Sequence, residues 1–154
     1  MRKLKICFAA STGGHYEQLM MLKPLMEKHN SFILTEKTSY AVESKNNVTH
    51  YMRQVSRNDF FWIFSLFFNT LKSLYIFMKE KPDVIICTGV LSMIPMCLIG
   101  KLFRKKLIYI ESFAKVNSPT ETGKLLYKYA DQFYVQWESM LEVFPNAIYR
   151  GAIY

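Results

Sequence analysis

Short apolar runs alternate along the chain with longer stretches in which apolar residues recur at helical spacing. The runs at 4–9, 31–34, 48–52, 84–87, 107–110 and 132–136 are predicted strands, and 15–28 (kinked at Pro24), 91–103 and 120–130 are predicted helices. This alternation is typical of an open sheet of parallel strands joined by helical crossovers. We therefore predict a single α/β domain, Rossmann-like and mostly parallel, over residues 1–154, with 36–47 as a loop or short helix.

The segment from Phe60 to Met78 is unusually apolar, with 14 apolar residues among 19. Its polar members recur at helical spacing, which predicts one helix with a wide apolar face. We interpret it as a helix in a membrane interface, where basic neighbours meet anionic headgroups. The predicted lipid contacts are Phe60, Phe61, Trp62, Phe64, Phe67 and Phe68, and the basic neighbours are Arg53, Arg57, Lys79 and Lys81. A buried crossover helix and a membrane-spanning helix are the alternatives.

The charge of +8 favours an acidic partner, which leaves nucleic acid, an anionic bilayer and a phosphorylated substrate as candidates. The chain has no regular basic helix, zinc-finger spacing or aromatic RNA-binding strand, so we predict no nucleic-acid partner. Cys7, Cys87 and Cys97 are far apart within apolar runs, which predicts neither a disulfide nor a metal site. The first apolar run ends at Ala10, too short for a signal-peptide core, so we expect a protein that is not secreted.

A glycine-containing turn follows the first predicted strand and leads into a helix. Its residues are Ser11, Thr12, Gly13, Gly14 and His15. The two glycines let the backbone approach a bulky group, and free N–H groups at a helix start favour phosphate. The turn lacks both the dinucleotide-binding fingerprint and the lysine of a P-loop. His15 is a candidate phosphate donor or proton carrier; the alternative is a structural turn with an incidental histidine.

Two more predicted strands end in polar or glycine residues. Thr88 and Gly89 follow one of them, and Glu111 and Ser112 follow the next. The carboxyl ends of parallel strands share one edge of a sheet, so these residues are expected beside Gly13 and Gly14. Such convergence is typical of binding sites in α/β enzymes. For Glu111, a carboxylate that caps a helix is the alternative.

Five ordered motifs together resemble one protein family. They are STGGHYE (11–17), PDVIICTG (82–89), YIESFAKVN (109–117), TGKLL (122–126) and ADQFYVQWE (130–138). They closely resemble the acceptor-side subunit of bipartite UDP-sugar transferases, which in eukaryotes anchors the N-acetylglucosamine transferase of dolichol-linked oligosaccharide synthesis. Bacterial relatives serve capsule and exopolysaccharide assembly. The resemblance implies a split GT-B enzyme in which this chain is the N-terminal half and a separate subunit binds the nucleotide sugar.

The resemblance also implies roles for individual residues and a location. Ser11, Thr12, Gly13, Gly14, His15, Thr88, Gly89 and Ser112 would bind the diphosphate of a polyprenyl-linked acceptor sugar, and His15 and Glu111 are the candidate catalytic residues. No metal or other cofactor is implied, and the expected location is the cytoplasmic face of the membrane. Lys115 stands where an arginine is common, which keeps the charge and loses the fork geometry. A non-catalytic anchor of a competent partner and a self-sufficient Rossmann enzyme are the rival functions.

Overall fold

The computed structural model describes residues 3–38, 47–56 and 58–154, and within them all strands join one parallel sheet. The strands are β1 (Lys5–Ala9), β2 (Asn30–Glu36), β3 (Val48–Met52), β4 (Val84–Cys87), β5 (Lys106–Ile110), β6 (Gln132–Val135) and β7 (Ile148–Tyr149). The α-helices are α1 (Gly14–Met20), α2 (Lys23–Lys28), α3 (Trp62–Glu80), α4 (Ile94–Leu102) and α5 (Glu121–Leu126). The predicted parallel α/β architecture is confirmed.

The sheet order β3-β2-β1-β4-β5-β6-β7 places the helices on opposite faces. The chain moves outward from β1 to β3, and α3 then carries it back to β4 on the other side of β1. Residues of α3, α4 and α5 share one core cluster with Cys7, Ile85 and Tyr109, whereas α1 and α2 cover Ile6 and Phe8. Strand residues therefore alternate between two apolar cores, which explains why the strands are buried as continuous runs.

Several predicted boundaries differ from the structure. The stretch 15–28 is two helices, because Pro24 lies in the first turn of α2, where its missing N–H costs nothing. The stretch 91–103 begins with a separate short helical turn before α4, and 120–130 is helical only to Leu126. The two-residue strand β7 was not predicted. Within 36–47, Glu36 belongs to β2, and residues 39–46 lie outside the described part of the chain, as does Arg57.

Helix α3 has its polarity reversed relative to an ordinary surface helix. Asn69 and Ser73 are among its most buried residues, at 1% and 0% exposure, whereas most of its large apolar side chains point outward. The Asn69 amide is satisfied because it binds both the backbone N–H (3.0 Å) and the backbone carbonyl (2.8 Å) of Arg53. The predicted helix with a wide apolar face is therefore present, and Asn69 and Ser73 of its polar stripe face the protein interior, whereas Lys72 is exposed.

The exposed side of α3 has the predicted aromatic composition. Phe60, Phe61, Phe64, Phe67 and Phe68 are all exposed, with Phe60 at 89%, whereas Trp62 is partly buried. The Arg53 guanidinium lies over the Phe68 ring at 4.6 Å, a cation–π contact. Among the described helices, none combines the length and the hydropathy that crossing a bilayer requires. An apolar surface of this kind, rimmed by charge, is typical of an interaction site.

Candidate functional site at the carboxyl edge

The predicted glycine turn connects β1 to α1 at the carboxyl edge of the sheet. Gly13 has φ 71°, a conformation that favours glycine, and its carbonyl accepts the N–H groups of Tyr16 and Glu17 at 2.9 and 3.0 Å. Ser11 is buried, and its hydroxyl donates to the carbonyl of Thr12 at 3.2 Å. The turn is thus a closed backbone loop that ends in the first turn of α1.

His15 lies between the glycine turn and the end of β4. Its backbone carbonyl accepts a hydrogen bond from the Thr88 hydroxyl at 3.0 Å. Its ring lies against Gly89, where an added Cβ would stand 3.1 Å from Cε1 and 3.2 Å from Nδ1. Among the described residues, no partner bonds the buried Nδ1. Gly89, with φ 127°, is therefore required both for its own backbone conformation and for the position of the imidazole.

The turn after β4 is held under strain. Val90 has φ 86°, an outlier for a β-branched residue and of a kind that costs on the order of 1–3 kcal/mol. The helical turn that follows is fixed because the buried hydroxyl of Ser92 donates to the Glu36 carboxylate at 2.7 Å. A strained backbone conformation persists only where surrounding contacts hold it in place. Here the turn follows β4 directly, and its next residues are hydrogen-bonded to Glu36 at the end of β2.

Glu111 is a buried carboxylate at this edge, at 1% exposure. Its carboxylate accepts the backbone N–H of Ser112 at 2.8 Å and that of Thr120 at 3.1 Å. The Thr120 hydroxyl lies 2.9 Å from Oε1 and 3.1 Å from Oε2, and it also caps α5 by accepting the N–H of Gly123 at 2.8 Å. Gly123 makes room for the carboxylate, since a Cβ there would overlap Oε2. Both ends of the loop 112–120 are therefore tied to one side chain.

Two buried glutamines lock the start of the same loop. Gln18 of α1 donates to the Glu111 carbonyl at 3.3 Å and accepts the Phe113 N–H at 3.3 Å. Gln136 donates to that carbonyl at 2.8 Å and accepts the N–H of Ile153 at 3.0 Å. The loop is consequently bonded to α1, β6 and the C-terminal residues, which places Ser112 beside α1.

The pKa of Tyr109, next to Glu111, is shifted by its surroundings. Burial and the nearby Glu111 carboxylate raise the pKa of Tyr109 well above its ordinary value. Its hydroxyl lies 3.2 Å from that of Thr120 and 3.4 Å from Glu111 Oε1, so it remains a neutral donor to the network. In the described ranges, no group of His, Cys, Asp or Glu residues is placed to hold a metal ion.

The predicted site residues therefore converge on one edge of the sheet. The glycine turn, the Thr88–Gly89 turn and the loop after Glu111 follow the adjacent strands β1, β4 and β5, and hydrogen bonds join all three. The structure does not test the assigned diphosphate contacts or the catalytic roles of His15 and Glu111, which stay predictions. This edge includes the switch point between β1 and β4, where open α/β sheets form a ligand-binding crevice, and it presents exposed glycine backbone, a partly buried histidine and hydroxyl groups.

An apolar cavity of about 330 Å³ lies on the sheet face opposite α3 and was missed in the sequence. Its walls include Leu22, Leu25, Ile86, Ile108, Tyr134 and Ile153. Among the described helices, those after β3 cross the other face, so α1 and α2 are the described helices that cover this one, and β4 to β6 stay partly uncovered. Two features of the sequence could have predicted this cavity. Both faces of β4 and β5 are apolar, and there are too few predicted helices to cover both faces.

Comparison with protein families gives one match over most of the chain. The family model described as "Oligosaccharide biosynthesis protein Alg14 like" matches residues 26–153. The UDP-N-acetylglucosamine transferase subunit ALG14 of Mus musculus is 26% identical over 180 residues, covering 97% of this chain and 83% of that protein. The Homo sapiens subunit of the same name is 35% identical over 99 residues, covering 58% of this chain and 46% of that protein.

Solved structures share the fold at low sequence identity. MurG of Acinetobacter baumannii superposes with a TM-score of 0.72 at 15% identity, over 88% of this chain and 42% of that one. UDP-GlcNAc 2-epimerase of Methanocaldococcus jannaschii, in complex with UDP-GlcNAc and UDP, gives 0.70 at 14% identity, over 92% and 43%. The chain thus spans less than half the length of these proteins, and it has the Rossmann-like fold of one half of a GT-B glycosyltransferase.

Proposed function

Because the chain belongs to the family of oligosaccharide biosynthesis proteins like Alg14, we propose that it is the acceptor-binding and membrane-recruiting subunit of a two-component glycosyltransferase. The enzyme would transfer a sugar from a UDP-sugar to a polyprenyl-diphosphate-linked sugar in polysaccharide biosynthesis, such as that of capsule or exopolysaccharide. The observation that carries this proposal is the family match together with the convergence of three strand-end turns on one crevice. Relatives in the family are named as subunits of a UDP-N-acetylglucosamine transferase.

The crevice suits a diphosphate because its walls are largely backbone. Gly13 and Gly14 have no neighbouring atoms within 4 Å of an added Cβ, so a bulky ligand can approach the main chain there. Ser11, Thr12, Thr88, Gly89 and Ser112 would complete the acceptor diphosphate site. Phosphate oxygens accept several hydrogen bonds at once, and hydroxyl and backbone N–H groups at strand ends supply such donors.

His15 is our candidate for proton transfer. Its ring is fixed by Gly89 while the residue stays partly exposed, so Nε2 can reach a ligand in the crevice. In an inverting displacement, the acceptor hydroxyl attacks the sugar carbon, UDP leaves with the bonding electron pair, and a base accepts the hydroxyl proton. The Glu111 carboxylate is the second candidate, and its enclosure by four donor groups favours the different role argued below.

The catalytic proposal is tested in a reconstituted assay that contains both subunits. His15→Ala should lower sugar transfer by on the order of a hundredfold if His15 is the base. His29→Ala is the matched control, because His29 lies at the opposite end of the sheet, next to β2. Transfer by His15→Ala at the wild-type rate would remove His15 from the mechanism.

Membrane recruitment is assigned to the outward face of α3. Its exposed aromatic side chains leave apolar surface in water, and burial of one such side chain contributes about 1.5–3 kcal/mol. Arg53, Lys72 and Lys79 are exposed on or near the same helix, which favours an anionic bilayer. We place the protein at the cytoplasmic face of the membrane, as a peripheral or monotopic protein.

Vesicle flotation tests the membrane role. The triple variant Phe61→Ser/Phe64→Ser/Phe68→Ser should release the protein from anionic vesicles without unfolding it, because these rings are 58%, 62% and 47% exposed. Leu125→Ser/Tyr129→Ser is the control on a different surface, with exposures of 38% and 44%. Unfolding of the triple variant, or flotation equal to wild type, would contradict the assignment.

A partner subunit that binds the nucleotide sugar is part of the proposal. Relatives of this chain are named as subunits of a UDP-N-acetylglucosamine transferase, and the open cavity on the sheet face opposite α3 leaves apolar surface for another chain to cover. The rival function is a non-catalytic anchor that recruits and stabilises a competent partner. Assays of the partner with and without this chain distinguish the two, because the anchor predicts residual transfer by the partner alone.

A further inference from the structure

We propose that Lys115 supplies positive charge to the acceptor diphosphate and that the buried Glu111 is the positioning residue for the loop that carries it. This inference rests on the proposed function, because it concerns the same diphosphate site. It assigns Glu111 to holding a ligand-binding loop instead of to proton transfer. Lys115 becomes a binding residue, and the loop 112–120 becomes a fixed part of the crevice.

The residues assigned to the crevice, 11–15, 88, 89 and 112, include no lysine or arginine. The glycine turn contributes backbone and hydroxyl groups, and the first turn of α1 adds the negative charge of Glu17. A diphosphate brings at least two negative charges into this surrounding, so a neighbouring element must neutralise them. In the described ranges, the cations that follow strands at this edge are Lys37 after β2, Arg53 after β3, Lys115 after β5 and Arg150 after β7.

Lys115 fits this need better than the other cations do. It is partly buried, and no ion pair is formed with it in the described part of the chain, whereas Arg53 is engaged with the Phe68 ring. Lys37 is exposed, and its N–H bonds the Met52 carbonyl of the edge strand β3, away from β1. Arg150 follows β7, the opposite edge strand. β5 pairs with β4, the strand whose turn contacts His15.

The loop that carries Lys115 is anchored directly to the crevice. Its Phe113 N–H donates to Gln18 of α1, and the Phe113 ring lies 5.1 Å from the ring of Tyr154, whose hydroxyl donates to the Gly14 carbonyl at 3.4 Å. A turn then brings the Lys115 N–H to the Ser112 carbonyl at 3.0 Å. Lys115 therefore lies two residues after Phe113, whose N–H is hydrogen-bonded to α1.

Glu111 determines where this loop lies. Its carboxylate bonds the first and last residues of the loop, Ser112 and Thr120, and is almost entirely withdrawn from solvent. A base must expose a lone pair to the substrate proton, whereas this carboxylate directs its oxygens at N–H and hydroxyl donors of its own chain. The same bonds fix both loop ends, which lowers the ordering cost when a ligand binds Lys115.

Calorimetry with inorganic pyrophosphate and the full chain tests the binding role. Lys115→Ala should weaken pyrophosphate binding by about tenfold or more, while Lys115→Arg should retain it. Lys106→Ala removes the same charge at the opposite edge and should bind as wild type does. Equal affinity of Lys115→Ala and wild type overturns the inference and leaves the proposed diphosphate site standing. Absence of pyrophosphate binding by wild type overturns the site and the inference together.

Glu111→Gln and Thr120→Val test the positioning role. Each should weaken pyrophosphate binding. The double variant Glu111→Gln/Lys115→Ala should bind pyrophosphate no more weakly than Lys115→Ala does, because both changes remove the same interaction. In the two-subunit assay, Thr120→Val should raise the acceptor KM and leave kcat and its pH profile nearly unchanged. Additive losses in the double variant, or a kcat whose pH profile loses a titrating group in Glu111→Gln, would overturn the role. Thr120→Val keeps the shape of the side chain and serves if Glu111→Gln does not fold.

Discussion

The two edges of the parallel sheet handle charge in opposite ways. At the amino edge, acids pair with bases: Glu80 binds Lys5, Asp83 binds Lys105, and Asp131 binds Lys101 and Lys106. At the carboxyl edge, Glu36 and Glu111 are buried against neutral hydroxyl and N–H donors. The acids of the amino edge are therefore paired with lysines, whereas the two acids of the carboxyl edge are held by neutral donors.

This difference predicts that the two edges contribute unequally to the stability of the fold. Ion pairs at the amino edge are partly exposed, so each contributes little to the free energy of unfolding. They connect residues near the ends of helices to residues near the starts of strands. Buried hydrogen-bonded carboxylates at the carboxyl edge are costly to disturb, because removing a partner leaves an unsatisfied charge. We therefore expect large effects on stability from changes in the carboxyl-edge networks and small ones from the amino-edge pairs.

Among the variants that test this comparison, Gly123→Ala should have the largest effect on the free energy of unfolding. Its new Cβ would overlap the Glu111 carboxylate and lie 2.9 Å from the Thr120 hydroxyl, so the network must shift. We expect the free energy of unfolding to fall by about 3 kcal/mol, measured by urea denaturation. Gly14→Ala is the control, because a Cβ there meets nothing within 4 Å. Equal stability of the two variants would show that the Glu111 enclosure is loose.

Asp131→Asn should have an intermediate effect at the amino edge. The carboxylate accepts the Leu107 N–H at 2.7 Å and a Lys101 bond at 2.9 Å. We expect a loss of about 1 kcal/mol at neutral pH, because solvent screens the pair. Burial alone would raise the pKa of Asp131, but the Leu107 N–H and the two lysines outweigh burial and lower the pKa.

The lowered pKa fixes the pH dependence of this contribution. An acid with a lower pKa in the folded state stabilises the fold above its unfolded pKa of about 3.9, and the contribution is lost as pH falls through the folded value. The stability difference between wild type and Asp131→Asn should therefore be constant near neutrality and shrink below about pH 4. Urea denaturation at a series of pH values measures it; a difference that grows in acid would contradict the ion-pair account.

Lys106→Ala should have the smallest effect. Its ammonium lies 3.7 Å from Asp131 and its side chain is 72% exposed, so the pair is weak and solvated. We expect a change of less than about 0.5 kcal/mol in the free energy of unfolding. A loss comparable to that of Asp131→Asn would show that the amino-edge charges act as one network and not as separate pairs.

Much of the fold could be predicted because strand signals in this chain are local. The run 84–87 is predicted to the residue, and the parallel arrangement follows from the alternation of strands and helices. The orientation of α3 could not be predicted in the same way. Helical periodicity gives the angle between its polar and apolar stripes, whereas the stripe that meets the sheet depends on the Asn69 contacts with Arg53, sixteen residues earlier.

The candidate site could be located from the sequence, but its chemistry could not be fully assigned. Strand ends in a parallel sheet share an edge, so Gly13, Thr88 and Glu111 were expected together. The enclosure of Glu111 depends on Thr120, nine residues away, and on a glycine whose only signal is a missing side chain. A carboxylate after a strand is compatible with a base, a cap or an internal anchor, and only its contacts distinguish them.

The reversed polarity of α3 also has a consequence for how a lipid-linked ligand would reach the crevice. A crossover helix runs nearly antiparallel to the strands it joins, and α3, about 28 Å long, begins near the carboxyl edge. If its outward face lies flat on a bilayer, the strands run along the membrane plane and the crevice opens sideways. An acceptor could then diffuse in two dimensions and enter laterally, with its diphosphate already at headgroup height and its hydrocarbon chain never leaving the membrane.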